Sequence, residues 1–187
     1  LPGKPEKADW AKAPIYIDNK QYRADGAGYL KSGYQHIYIM AADGGSAIQL
    51  TDGDFNHGGA LSWSKDSKAL YFSANRHDNW QSQPVNSEIF QLTLADRKLS
   101  QLTDRNGPDS RPAVSPDGKL IAYVGYDDRK LAHQANRLYV MNVDGSNIGL
   151  YVDESSNVNA NGNVVKDSLG NPIKVDNFKT IRANIYE

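Results

Sequence analysis

The sequence predicts an all-β chain: a partial β-propeller of four-stranded antiparallel blades, about two full blades plus part of a third. Three observations predict it. An internal echo recurs every fifty-odd residues, each copy holds short apolar runs split by turn residues, and no segment keeps a helical period. Ile37–Asp52 reads IYIMAADGGSAIQLTD and Ile89–Asp104 reads IFQLTLADRKLSQLTD, 52 residues apart. Trp63–Phe72 (WSKDSKALYF) and Val114–Tyr123 (VSPDGKLIAY) stand 51 apart. A third copy of the first half, LYVMNVDGSNIGLYVD, begins at Leu138, 101 residues after Ile37. Four strands per period make the unit of a propeller blade. A sandwich also has many short strands but rarely a fixed internal period.

In chain order, residues 1–13 (LPGKPEKADWAKA) read as an extended lead-in with two prolines and mixed charge. PIYID at 14–18 reads as a further strand, so that blade-forming chain runs over 14–153. Residues 34–50 form half a blade, 59–103 a blade and 110–153 another. Each first half carries a strand such as HIYIM or RLYVM, a turn with Asp43-Gly44 or Asp144-Gly145, and a second strand. Asp-Gly tolerates positive φ and joins antiparallel strands. Leu-Thr-Asp then gives a polar exit. A longer loop leads to a third strand (ALSWS, RPAVS), a turn (SKDSK, SPDGK) and a fourth strand (ALYFSA, LIAYVG). Pro116 presets φ in the second of these turns, and Gly118 supplies a position free of Cβ. Trp63 aligns with Val114 and is expected in the core between neighbouring sheets. Residues 154–187 leave the pattern; Asn161-Gly162 and Gly170-Asn171 mark tight turns of a hairpin or irregular tail. Closed propellers need roughly 4–8 blades. So few blades predict a piece of a longer propeller, or a chain that associates edge to edge with copies of itself. The first reading is preferred.

Composition narrows the partners. Of 187 residues, 21 are Lys or Arg and 22 are Asp or Glu, a net charge of −1, which excludes a body built to neutralise many phosphates. No nucleic-acid partner is therefore expected. No apolar run is long enough for a membrane span. The opening residues lack a charged-then-apolar leader, so an export signal is expected to be absent or removed. With no cysteine, disulfides, thiolate nucleophiles and Cys-type zinc sites are excluded, while periplasm and cytoplasm both stay open as locations. Eleven Tyr, three Trp and four Phe against two Met suit a β-rich core.

The segments LTDGDFNHGGALSWSKDSKALYFSANRHDN and LTDRNGPDSRPAVSPDGKLIAYVGYDDR resemble the WD-like repeats of Tol-type periplasmic proteins and of prolyl oligopeptidase-family serine peptidases. Upstream, YRADGAGYLKSGYQHIYIM resembles the blade junction of the acylaminoacyl-peptidase and dipeptidyl-peptidase-like branch, which runs Arg-x-Asp-Gly-x-Gly-Tyr. Here those positions are Arg23, Asp25, Gly26, Gly28 and Tyr29, and the likeness covers residues 20–150. It implies a non-catalytic propeller that caps an α/β-hydrolase domain and gates or admits peptide substrates. The alternative is a stand-alone Tol-type propeller that binds partner proteins. A carbohydrate-active propeller is a third reading, and would need paired carboxylates facing one pocket.

The chemistry of a hydrolase is not in these residues. Gly-x-Ser-x-Gly does not occur; Gly44-Gly45-Ser46-Ala47-Ile48 fails at its last position and reads as a hairpin turn. No catalytic residue is assigned. The peptide substrate or partner protein, the missing blades and the hydrolase domain of a parent chain are the expected partners. His36, His57, His77 and His133 lack metal-ligand spacing and read as solvated loop or strand-end residues. Asn157–Gly162 (NVNANG) echoes a calcium loop, but its twelfth position is Ser168 rather than a bidentate Glu, so a turn is the better reading. No metal or other cofactor is expected. Candidate substrate-binding residues are Arg23, Asp25 and Trp80. Arg23 could pair with a peptide's charged group, against the simpler reading of an Arg23–Asp25 structural pair. Trp80, in the polar loop RHDNWQSQPVNSE, is either a binding anchor or, more simply, a hydrophobe covering its own loop.

Overall fold

Alternating apolar residues between Asp-rich turns fold as expected for antiparallel strands, and a computed structural model describes residues 3, 5–7 and 14–151. The tail reading over 154–187 and the calcium-like Asn157–Gly162 lie outside the described residues, as does most of the lead-in. The chain divides into two compact units, Leu1–Ser32 and Gly33–Glu187.

The first unit holds a minimal hairpin, β1 (Arg23–Ala24) and β2 (Gly28–Tyr29), with Arg23 opposite Tyr29. Residues 14–18 form no strand, which corrects the expectation for PIYID. Pro14 has no amide hydrogen to give a ladder, and Ile15, Tyr16 and Ile17 are all exposed.

The second unit begins with a two-stranded sheet, β3 (Tyr38–Ile39) and β4 (Ile48–Gln49). Two four-stranded antiparallel sheets follow, each in sequence order. One comprises β5 (His57–Trp63), β6 (Ala69–Ala74), β7 (Glu88–Thr93) and β8 (Leu99–Gln101). The other comprises β9 (Asp109–Val114), β10 (Leu120–Gly125), β11 (Arg137–Asn142) and β12 (Gly149–Leu150). One 3₁₀ turn, Trp80–Ser82, interrupts the loop between β6 and β7. The partial propeller of four-stranded blades is therefore the observed fold class.

The repeat extends to fine geometry. The turn Ser64–Lys68 is tied by Ser64 Oγ donating to Asp66 Oδ1 at 2.7 Å, and Ser115–Lys119 by Ser115 Oγ donating to Asp117 Oδ1 at 2.5 Å. Gly118 takes φ +76° in one turn and Ser67 takes φ 59° at the same place in the other. Both inner strands carry a bulge, at Gly59 (φ +89°) and at Arg111 (φ 54°), which stand 52 residues apart.

Two apolar layers join the sheets. Ile37 and Leu50 pack on Leu70, Phe72, Ala74, Phe90 and Leu92. Tyr71 and Ile89 pack on Ile121, Tyr123 and Met141. The inner strands β5 and β9 also touch, with the Val114 amide donating to Ser62 Oγ at 3.0 Å. Trp63 is not in either layer and is 47 % exposed, contrary to the expectation that it is core. Its row runs Trp63–Leu70–Leu92–Leu99 across the sheet. The half-blade covers the outer members of that row and leaves the innermost bare.

Candidate functional site

Because the strands alternate in direction, β5, β7, β9 and β11 all start at the end where β6 and β10 finish. The segments 51–56, 75–87, 102–108 and 126–136 therefore gather at this end of the second unit. Loops carried on a rigid sheet are where binding groups concentrate.

Each Leu-Thr-Asp exit builds a polar lock there. The Ile37 amide donates to Thr51 Oγ1 at 2.9 Å, and 52 residues on the Ile89 amide donates to Thr103 Oγ1 at 2.9 Å. The residue before each isoleucine completes the lock. His36 Nδ1 lies 3.4 Å from Thr51 Oγ1, while Glu88 Oε2 accepts from Thr103 Oγ1 at 2.6 Å.

The two locks carry different charges. In the first, His57 is buried and stacks on His36 at 5.4 Å. Its Nε2 accepts from Arg76 Nη1 at 2.5 Å, and its Nδ1 lies 3.3 Å from the Gln35 carbonyl, which assigns a neutral ring with the proton on Nδ1. Burial, reinforced by the Arg76 guanidinium, lowers the His57 pKa to about 4. The expectation of four solvated histidines is thus corrected for His57, since β5 begins beneath the half-blade.

In the second lock, Asp109 is fully buried and paired to Arg105. Arg105 lies 3.9 Å from the centre of the Tyr139 ring, and its Nε is 3.5 Å from Asp127. Burial raises the Asp109 pKa against the pull of Arg105, and burial pushes Glu88 up to about 7, helped by the charge of Asp109. Glu88 Oε1 faces His77 Nε2 at 3.4 Å without a hydrogen bond, and among the described residues Asp109 Oδ2 also lacks one. Glu88 is 1 % and Asp109 0 % exposed, so both carboxylates are shut away from the surface.

The 126–136 loop adds a run of mostly exposed residues to this end. Asp128 organises it, accepting from the Lys130 amide at 2.9 Å and from Gln134 Nε2 at 3.1 Å, and hydrogen bonds from Lys130 hold its pKa down at about 2. Arg129, His133, Arg137 and Asp127 line a cavity of about 150 Å³ floored by Tyr126 and Tyr139. No group of three metal-ligating side chains occurs among the described residues.

Of the residues singled out in the sequence, Arg23 lies in β1 and Asp25 in the turn after it, both exposed. Among the described residues no ion pair joins them. Trp80 is half-buried and meets Tyr34 edge-on, with ring centres 6.2 Å apart. Sequence reasoning missed Glu88, Asp109 and Arg105, and read His57 as solvated. The signal was present: His36 aligns with Glu88 and His57 with Asp109, flanking each Leu-Thr-Asp at the same offset.

A family model described as the dipeptidyl peptidase IV (DPP IV) N-terminal region matches residues 13–124. The chain belongs to this family. No curated protein matches it in sequence. Among solved structures, this DPP IV N-terminal region is similar to a putative TolB from Agrobacterium tumefaciens, with 24 % identity and a TM-score of 0.50 over 62 % of this chain and 40 % of that one. It is also similar to an oligogalacturonate lyase in complex with manganese, with 14 % identity and a TM-score of 0.50 over 65 % of this chain and 36 % of that one. The chain spans under half the length of either neighbour. Both likenesses bear on the fold alone.

Proposed function

We propose that this DPP IV N-terminal region is the propeller segment of a prolyl oligopeptidase-family serine peptidase of the acylaminoacyl-peptidase or dipeptidyl-peptidase-like branch. In this role its blades gate or admit peptide substrates to a hydrolase domain on the same polypeptide. The observation that carries the reading is the family match over 13–124, which includes the Arg23–Tyr29 junction. The absence of Gly-x-Ser-x-Gly from the sequence favours a supporting rather than a catalytic role. Arg23, Asp25 and Trp80 are proposed to contact the peptide, Arg23 through a charge-assisted bond to a carboxylate and Trp80 as an apolar anchor.

The reading frame beyond Glu187 tests this directly. A hydrolase domain with a Gly-x-Ser-x-Gly elbow supports it. A stop codon refutes it and favours the Tol-type interaction module. On a protein that contains both parts, opening the blade stack should admit larger peptides to hydrolysis, and unchanged size selection would refute gating.

A further inference from the structure

The two blade boundaries share one backbone frame and carry different chemistry. At the first, the His57 amide donates to the Gln35 carbonyl at 2.8 Å; 52 residues on, the Asp109 amide donates to the Ser87 carbonyl at 2.7 Å. The second boundary has two further ties, from Ser87 Oγ to the Asp109 carbonyl at 3.0 Å and from the Gly107 amide to Asn86 Oδ1 at 2.7 Å. His36 and His57 at the first boundary stand where Glu88 and Asp109 stand at the second. All of these groups belong to the second unit.

Charge at the second boundary does not balance. Glu88 opens β7 in one blade and Asp109 opens β9 in the next, and both are buried. One guanidinium serves them: Arg105 pairs with Asp109 and also lies 3.5 Å from Asp127. Glu88 receives only the neutral Thr103 hydroxyl. The other titratable groups acting on this pair among the described residues are His77 from the β6–β7 loop, Asp104 after β8, Tyr123 of β10 and Tyr139 of β11. None is a second fixed cation, and His77 becomes one only by holding the missing proton itself. A buried carboxylate without a cation takes up a proton rather than stay charged. Burial, which pushes Glu88 up to about 7, acts in this sense. His77, with its side chain 31 % exposed and its Nε2 3.4 Å from Glu88 Oε1, gives that proton a way to water.

We propose that a single proton on Glu88 latches the two complete blades together, and that its loss lets β9 part from β7 at the loop end while the His36–His57 boundary stays closed. Without it, two carboxylates face each other across the boundary with one guanidinium between them, and parting admits water to both. In the parted form Glu88 titrates at its ordinary 4.5, so the parted fraction grows as pH climbs from there to about 7 and levels off above. Every group in the latch is internal to the second unit, so it works whatever the blades admit or bind.

Amide hydrogen exchange on the whole chain reads each boundary separately. Between pH 5 and pH 7.5 the protection factors of the Asp109 and Gly107 amides should fall about ten-fold or more, while that of the His57 amide holds or rises. Glu88→Gln, neutral at every pH, should abolish the fall, and His77→Gln should leave it in place. Carboxyl-carbon NMR reads the proton without a variant, because the chain has only four glutamates, Glu6, Glu88, Glu154 and Glu187. One of the four signals should still be largely protonated at pH 6, after ordinary glutamates have ionised. Three results would overturn the inference. They are no glutamate protonated at pH 6, an equal loss of protection at both boundaries, or a fall that survives Glu88→Gln or disappears with His77→Gln.

Discussion

Replacing Glu88 with glutamine isolates the proton held between the two complete blades. Glu88 ordinarily titrates at 4.5 and in the fold at about 7. The folded chain therefore binds more protons than the unfolded chain between those values, and stability falls as pH rises through that window. At about 1.4 kcal/mol per unit, the loss is about 3 kcal/mol, complete above pH 7. His57 acts in the opposite sense. Its pKa falls from 6.5 to about 4, so its contribution is complete above pH 6.5 and lost, also by about 3 kcal/mol, as pH falls through 4. Between pH 4.5 and 6.5 the two slopes oppose each other, and the wild-type profile is expected to be nearly flat. Glu88→Gln keeps an acceptor for Thr103 and removes the charge. The variant should match wild type near pH 4.5 and gain on it steadily, reaching about 3 kcal/mol greater stability at pH 8. Urea unfolding followed by tryptophan fluorescence from pH 4 to 8.5 measures this, with the midpoint and slope fitted at each pH. A gap that does not change with pH, or a variant less stable than wild type at pH 8, would refute the reasoning.

Other changes probe the remaining contacts. Gly107→Ala should cost several kcal/mol, since a Cβ would collide with the Tyr126 carbonyl at a φ of +145°, and a thermal melt should show a large drop in Tm. Thr103→Val removes the hydroxyl that accepts from the Ile89 amide and donates to Glu88, leaving buried groups unpaired; urea titration should show a loss of about 1–3 kcal/mol. Gly118→Ala should cost about 1–2 kcal/mol on the same assay, from positive φ and a 2.9 Å approach to Lys65 Cβ.

The strand pattern was legible because it rests on local chemistry: alternation, Asp-Gly and Ser-x-Asp turns, and a fixed period. The same logic failed at residues 14–18, where an apolar run pairs with no strand among the described residues. Trp63 was misplaced for a related reason. Its alignment with Val114 suggested a core position between sheets, but burial depends on what lies opposite, and the half-blade does not reach it. His57 and Glu88 were hidden because their environment is made by residues distant in sequence, Arg76 and Asp109 among them. Only the paired offsets of His36 with Glu88 and His57 with Asp109 pointed there.

The central claim is that successive four-stranded sheets stand side by side with their inner strands adjacent. The absence of cysteine makes this directly measurable. A Ser62→Cys, Val114→Cys double variant, treated with a short thiol crosslinker, should join intramolecularly in high yield, because the Val114 amide already meets Ser62 Oγ at 3.0 Å. A Leu61→Cys, Val114→Cys variant, whose first thiol lies on the opposite face of β5, should not. Equal crosslinking in both, or none in the first, would contradict the blade arrangement.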